Sequence, residues 1–341
     1  LGAPSVRPTG GHHMTRGGVQ VTANVSGLEF NQANIPGTST YAIESLVDKL
    51  DSQKGVLLSS SYEFPGRYAR WSLGFVDPPV EIAGSKEKCV IRALNERGSI
   101  ILPAIIGAMN KLQSDDVLSD VIVSKNDGSL GSVEVRIVPP GEVGSFSEEE
   151  RSRQPSLFSV VRSLVDLFGY DDGDNQLGLY GAFGYDLTFQ FEPIKLHQLR
   201  DEKQRDILLY LPDEIVVVDQ DKRDAWTISY DFFVDGKSTQ GMERGGSIEP
   251  FKAFDENSPA GKAFTPRDTP ESEFSASVEK AKHEFAVGNL FEAVLSQTFR
   301  EKLDEDTPPS VLFRRLRARN PSPYGFFINL GEDEYLVGAS P

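Results

Sequence analysis

The stretch Asn320-Pro321-Ser322-Pro323-Tyr324-Gly325-Phe326-Phe327 is the most informative in the chain. Pro321 and Pro323 fix their own φ angles and push the residues before them toward extended conformations. The outcome is a rigid loop that offers backbone carbonyls and an aromatic face, Tyr324 then Phe326, to a small ligand. Packing of both rings into a core is the competing reading of the same residues. Working outward, residues 325–337 read as a hairpin, after which the chain runs Gly338-Ala339-Ser340-Pro341. On the other side, residues 310–319 read as a helix. Its Arg314, Arg315, Arg317 and Arg319 go around a surface that also carries Val311, Leu312 and Leu316, the pattern of a solvated basic face.

Farther upstream, Gly288-Asn289-Leu290-Phe291-Glu292-Ala293-Val294-Leu295-Ser296-Gln297-Thr298-Phe299 reads as a helix end running into a strand over 290–299. That helix opens at Thr269-Pro270-Glu271, a cap followed by a first-turn proline and an acid near the positive helix end. Phe274, Val278, Ala281 and Phe285 form the stripe expected to be buried. Residues 235–268 are rich in Gly, Ser, Pro and charge without periodicity, and read as a linker.

The N-terminal two-thirds mixes strands with occasional helices. Val19, Val21, Ala23 and Val25 alternate as a half-buried strand does. Ile43, Leu46, Val47 and Leu50 then fall at helical spacing over residues 39–51. Leu57-Leu58 opens a strand running into Ser59-Ser60-Ser61-Tyr62, and Trp71, Leu73 and Phe75 alternate until Pro78-Pro79 stops them. Asn126-Asp127-Gly128 is the best hairpin turn, and Leu157, Val160, Val161, Leu164 and Phe168 mark a helix closed by Gly169. Strands are expected at 177–185, 206–218 and 225–233. There is no regular strand–helix alternation of a doubly wound sheet, so the fold class is α+β.

At 341 residues two domains are the natural division, and 38% hydrophobic content supports a sizeable core. The expected organisation is a disordered lead over 1–30, a first domain over 31–234, the linker, and a second, incomplete domain over 269–341. Lys plus Arg number 35 against 51 Asp plus Glu, a net charge of −16. Such a surface repels nucleic acid and anionic lipid over about a Debye length, and no run of apolar residues is long enough to cross a bilayer. Cys89 is the single cysteine, so no internal disulfide is available; it reads as a small core residue in a reducing compartment. Residues 1–28 hold no Asp or Glu, which fits either a disordered lead or the tail of an organelle-targeting segment. The start at Leu1 rather than Met is taken to mean that the true N-terminus is missing or processed. The end at Ser340-Pro341 is taken as a truncation. Gly178, Gly181 and Gly184 are spaced for close strand packing and not as a dinucleotide-binding loop. No GxxxxGK[ST] or HExxH motif is present.

Taken together and in order, these segments resemble the large subunit, or component I, of anthranilate synthases, which are chorismate-binding enzymes. The resemblance rests on the 288–299 and 320–327 stretches and Gly338-Ala339-Ser340-Pro341. It also rests on Tyr180-Gly181-Ala182-Phe183-Gly184-Tyr185-Asp186, Phe191-Glu192-Pro193, Leu211-Pro212-Asp213-Glu214, and the set formed by Ser61-Tyr62-Glu63-Phe64-Pro65-Gly66-Arg67-Tyr68 with the stretch from Trp71 to Asp77 and the two prolines after it. The last set looks most like the forms fused to a glutamine amidotransferase. The resemblance implies an anthranilate-synthase-like fold of mixed or antiparallel sheets with flanking helices. It implies a lyase that takes chorismate and ammonia to anthranilate and pyruvate, with a glutamine amidotransferase partner or fused domain, oligomer formation and feedback inhibition by tryptophan.

Carried over by position, the implied tryptophan pocket comprises Leu58, Ser59, Ser60, Ser61, Asn320, Pro321, Ser322, Pro323, Tyr324, Gly325 and Phe326. Ser59 replaces a glutamate of the family pattern, and Gly325 stands where many relatives carry Met, opening the pocket wall. Glu292 is the one candidate catalytic residue; isochorismate-forming relatives carry a water-activating lysine there. The implied cofactor is Mg2+, with its ligands expected downstream of Pro341, so 1–341 alone is expected to be inactive. Aminodeoxychorismate or aminodeoxyisochorismate synthase is the neighbouring alternative, and a non-catalytic amino-acid-binding module is a more distant one. A cytoplasmic location is expected, or the plastid stroma were the source a photosynthetic eukaryote.

Overall fold

The fold was analysed in a computed structural model, which describes residues 12–30, 40–61, 71–124, 131–139, 154–169, 176–191, 200, 204–246, 248–249, 266–303 and 307–340. The chain divides into two units, Leu1–Pro250 with Pro309–Pro341, and Phe251–Pro308.

Among its described residues, the first unit holds two antiparallel sheets. The larger has nine strands: β1 (His12–Arg16), β2 (Val19–Leu28), β3 (Gly55–Ser59), β4 (Trp71–Val76), β11 (Glu214–Asp219), β12 (Asp224–Val234), β13 (Lys237–Ser238), β14 (Tyr324–Gly331) and β15 (Glu334–Ser340). Their order is β1-β2-β12-β11-β4-β3-β14-β15, with β13 on the end of β12. The smaller sheet has six strands, β5 (Val80–Ser85), β6 (Lys88–Ala93), β7 (Leu118–Ser124), β8 (Ser132–Ile137), β9 (Tyr180–Phe183) and β10 (Ile207–Leu211), in the order β7-β8-β6-β5-β10-β9.

The chain changes sheets between β4 and β5, at Asp77-Pro78-Pro79, and between β10 and β11, at Pro212-Asp213. Proline lacks the donor a ladder requires, so each pairing stops there and the next strand is free to join a different sheet. The expected single strand over 206–218 is therefore two strands in two sheets.

Buried arginine Arg97 ties both crossings together. Its Nε donates to Asp213 Oδ2 at 2.7 Å, and its Nη2 donates to the Asp77 carbonyl at 2.6 Å and to Asp77 Oδ2 at 3.1 Å. Arg244 adds a second donor to Asp213, and the backbone N–H of Gly245 donates to Asp77 Oδ2 at 2.7 Å.

Apolar periodicity forms the helices. Helix α1 (Tyr41–Leu50) buries Ile43, Leu46, Val47 and Leu50 as its spacing requires, and the Thr40 hydroxyl caps it by accepting from the Ile43 N–H. Helix α2 (Glu96–Ser114) and helix α3 (Leu157–Phe168) share the larger core with facing residues of both sheets, among them Phe75, Ile82, Ile91, Ile105, Tyr210 and Trp226. Cys89 lies within this core, and burial pushes its thiol pKa up to about 12, leaving negligible thiolate at neutral pH. Helix α5 (Pro309–Arg319) packs with α1 in a second cluster that includes Leu57, Phe313 and Phe327.

Several expectations need correction. Residues 12–28, placed in a disordered lead, form the hairpin β1–β2, and Val19, Val21 and Ala23 are buried. The sheet accepts them because β2 pairs with β12 along ten residues. The boundary expected at 269 does not hold for the last 33 residues, since β14 pairs with β3 inside the first unit. The linker expected over 235–268 is packed at its start: Thr239 is buried and exchanges hydrogen bonds with Phe232. The turn at 126–128 lies outside the described residues.

The second unit contains helix α4 (Glu271–Ala286), with Pro270 at its N-cap position. The expected stripe forms one face, but no residue of α4 is buried. The strand expected over 290–299 is absent; an isolated bridge between Arg267 and Phe299 is the pairing found there among the described residues. A strand needs a ladder partner, and Phe291 and Val294 are instead 96% and 86% exposed.

Candidate functional site

The proline-rich loop is held to the end of β3 by a reciprocal clasp. Ser61 N–H donates to the Ser322 carbonyl at 3.0 Å, and Ser322 N–H donates to Ser61 Oγ at 3.2 Å. Beyond the clasp, Gly325 sits between Ser59 on β3 and Ala339 on β15. A Cβ at Gly325 would lie 2.5 Å from the Ser59 carbonyl oxygen, so glycine is what lets the two strands approach at this point. Gly325→Ala is expected to lower stability by about 1–3 kcal/mol, read as a shift in the urea midpoint at unchanged slope.

Helix α5 closes the site from above. The Asp51 carboxylate accepts from both Ser310 N–H and Ser310 Oγ at its first turn. Phe313 stacks on Phe327 with ring centroids 5.5 Å apart, which fixes the helix against β14. One turn further, Arg317 is buried with its guanidinium 5.2 Å from the Phe313 ring centroid. Arg317 Nη2 donates to Glu44 Oε1 at 2.6 Å, while the other Glu44 oxygen accepts from Arg314 Nε at 2.8 Å.

These elements enclose a small cavity lined by Ser59, Ser61, Phe313, Arg317, Asn320, Ser322, Gly325, Gly338 and Ala339. Its volume is about 10 Å³, room for about one water molecule. Ser59 Oγ is paired with Ser72 Oγ at 2.9 Å. Ser322 Oγ is buried and has no hydrogen-bond partner among the described residues.

Of the eleven pocket residues expected from sequence, the cavity brings together Ser59, Ser61, Asn320, Ser322 and Gly325. Leu58, Ser60, Pro321, Pro323, Tyr324 and Phe326 are not among its lining. Strand geometry explains much of this division, because successive side chains alternate between faces. Leu57 and Phe327 face α1 and α5, whereas Leu58, paired with Phe326, packs on the other side against the larger core. Both readings of the aromatic pair thus miss part of the arrangement: Tyr324 is 60% exposed and the Phe326 ring lies over Gly338.

Sequence reading missed Phe313, Arg317, Gly338 and Ala339 as lining residues, and Arg317 is the charged one among them. The solvated basic face expected for 310–319 holds for Arg315 and Arg319 but not for Arg314 and Arg317, which are ion-paired to Glu44. The available signal was its place on the stripe Ser310, Phe313, Arg317, which is the buried face of the helix. Glu292 is exposed in the second unit. Among the described residues, no group of three or more His, Cys, Asp or Glu is placed to hold a metal ion.

A profile of chorismate binding enzymes matches residues 134–341, which include α5, the proline-rich loop and both strands of the final hairpin. The chain belongs to the chorismate-binding enzyme family. Among its relatives, a protein named anthranilate synthase from Azospirillum brasilense is 44% identical over 327 residues, covering 96% of this chain and 41% of the relative. Anthranilate synthase component 1 of Vibrio parahaemolyticus is 27% identical, covering 92% of this chain and 56% of its own length. The same component of Haemophilus influenzae is 24% identical over 85% of this chain and 54% of its own. The chain therefore spans roughly two-fifths to just over half of these three relatives. Among the described residues no helix is long and apolar enough to cross a membrane.

Proposed function

We propose that this chain is part of an anthranilate synthase large subunit, which converts chorismate and ammonia to anthranilate, pyruvate and water. The observation carrying this reading is the 44% identity to a protein of that name along nearly the whole chain; family membership alone leaves the product open. Ammonia would come from glutamine through an amidotransferase subunit or fused domain, and the assembly would be oligomeric and cytoplasmic. Magnesium is the proposed cofactor, and would serve as a Lewis acid at the substrate. None of its ligands is proposed among residues 1–341, and no chemical step is assigned to Glu292.

The role proposed for this chain is regulatory: the cavity between the proline-rich loop, β3 and α5 takes tryptophan, the end product of the pathway. Support comes from the sharing of one cavity by five of the residues expected for that pocket.

The test uses the full-length protein with chorismate, magnesium and ammonium, following anthranilate fluorescence and pyruvate release together. Both signals should rise, and tryptophan should suppress both. Chorismate consumed without pyruvate would replace this reading with an aminodeoxychorismate-type synthase. Binding of tryptophan with no chorismate consumed would leave an amino-acid-binding module.

A further inference from the structure

We propose that Arg317 reads the carboxylate of the pocket's ligand, so that the pocket selects a small organic acid and contributes little to recognition of an amine; this rests on the pocket reading above. Among the described residues, Arg317 is the charged residue in the cavity lining, and its side chain is 6% exposed. Its partner Glu44 does not neutralise it alone, because the two Glu44 oxygens are divided between Arg317 and Arg314. Arg314 in turn also donates to Asp48, a carboxylate that is 67% exposed. Two guanidinium groups therefore share one buried carboxylate.

Among the described residues, Arg317 donates one hydrogen bond, through Nη2 to Glu44. A guanidinium has five N–H groups in a fixed fork, so the others remain for a second acceptor. Its plane is already set by Phe313 on one side and Glu44 on the other. Such a held guanidinium is preorganised for a carboxylate and loses little freedom on binding it.

The second observation is Ser322 Oγ, buried on the cavity wall without a partner among the described residues. An unmatched buried hydroxyl carries a desolvation cost that a ligand acceptor would remove. Among the described residues, the lining carries no carboxylate to pair with a cation, and the Ser59 hydroxyl is already engaged by Ser72. Fork and hydroxyl both point to an anionic end group.

The test is calorimetric titration of the full-length protein with three probes: L-tryptophan, indole-3-propionate, which keeps the carboxylate and lacks the amine, and tryptamine, which does the reverse. Tryptophan and indole-3-propionate should bind within about tenfold of each other, and tryptamine about 10- to 100-fold more weakly. Arg317→Gln should bring tryptophan down to the level of tryptamine, and Arg317→Lys should restore part of the difference. Ser322→Ala, which leaves the Glu44 pairing untouched, should weaken both acids several-fold without affecting tryptamine. Tryptamine binding as tightly as tryptophan in the unmodified protein would overturn the inference while leaving the pocket in place. Neither tryptophan nor indole-3-propionate binding at all would overturn the pocket reading, and this inference with it. Tryptophan affinity unchanged in folded Arg317→Gln and in Ser322→Ala would place the ligand elsewhere and refute the assignment.

Discussion

Arg97→Ala is expected to lower the melting temperature of the protein by on the order of 10 °C, one of the two largest effects of any single substitution considered. The arginine is buried between Asp77 and Asp213, which are themselves buried and lie at the two places where the chain crosses between sheets. Removing one partner of such a network leaves uncompensated charge in a poorly solvated place, typically costing about 3–5 kcal/mol. Arg244 stays close to Asp213 but is shared with Asp231, so it offsets the loss only in part.

The effect should depend on pH, with a definite sign. Burial holds the Asp213 carboxyl above the ordinary carboxylate range, while Arg97 and then Arg244 oppose that rise. A carboxyl whose folded pKa exceeds its unfolded value favours the folded state at low pH, and that advantage is lost as pH rises through the folded pKa. Deleting Arg97 removes the first of the opposing charges and raises the folded value further. The deficit of the variant should therefore be widest at neutral pH and shrink as acid protonates Asp213. Melting curves of both proteins across the acid range would show this. A deficit below about 1 kcal/mol at neutral pH, or one independent of pH, would mean the network does not hold the crossings.

The second large effect is expected at Phe327. Its ring is fully buried, stacked on Phe313 and tilted against Tyr335, and so joins α5, β14 and β15. Phe327→Ala removes a large apolar body from a site walled by α1 and α5 as well as by strands, and the fixed pairing of those strands limits collapse. A loss of about 3–5 kcal/mol is expected from the deleted contacts and the cavity left behind. Phe233→Ala makes the useful comparison. That ring is 42% exposed on β12, and its loss should cost under about 1 kcal/mol. Urea unfolding of the two variants side by side would separate them. Without Phe327 beneath it, Phe313 is free to tilt into the adjacent cavity, so ligand affinity should fall as well. Equal destabilisation by the two substitutions would refute the packing account.

Much of the fold was legible because local periodicity and tertiary burial agree. The stripe Ile43, Leu46, Val47, Leu50 predicted α1 and is its buried face. Leu157, Val160, Leu164 and Phe168 did the same for α3. The paired prolines at 78–79 announced the end of a strand, though nothing local revealed that the next strand joins another sheet. What was not legible depends on partners far away in sequence. Residues 290–299 have strand-like composition, but composition does not supply a neighbouring strand. Arg317 looked like one more surface arginine because its partner, Glu44, lies 273 residues away. The loop clasp and the Ser59–Gly325 contact are likewise invisible until β3 and β14 are placed side by side. The proline-rich loop itself was readable as rigid, since proline restricts the backbone whatever surrounds it. Which of its residues turn toward the cavity was not, because that depends on strand register.

The pairing of β3 with β14 also bears on how the protein is made. Val56 meets Ile328 across the ladder, so β3 waits for a partner strand about 270 residues downstream. At elongation rates of about 5–20 residues per second, the ribosome needs on the order of 10 to 50 s to deliver it. Throughout that interval the β3 edge, with Val56, Leu57 and Leu58 on it, presents unpaired backbone groups to the surroundings. Slowing translation between residues 60 and 320 should thus lower the soluble yield more than the same delay placed after residue 331.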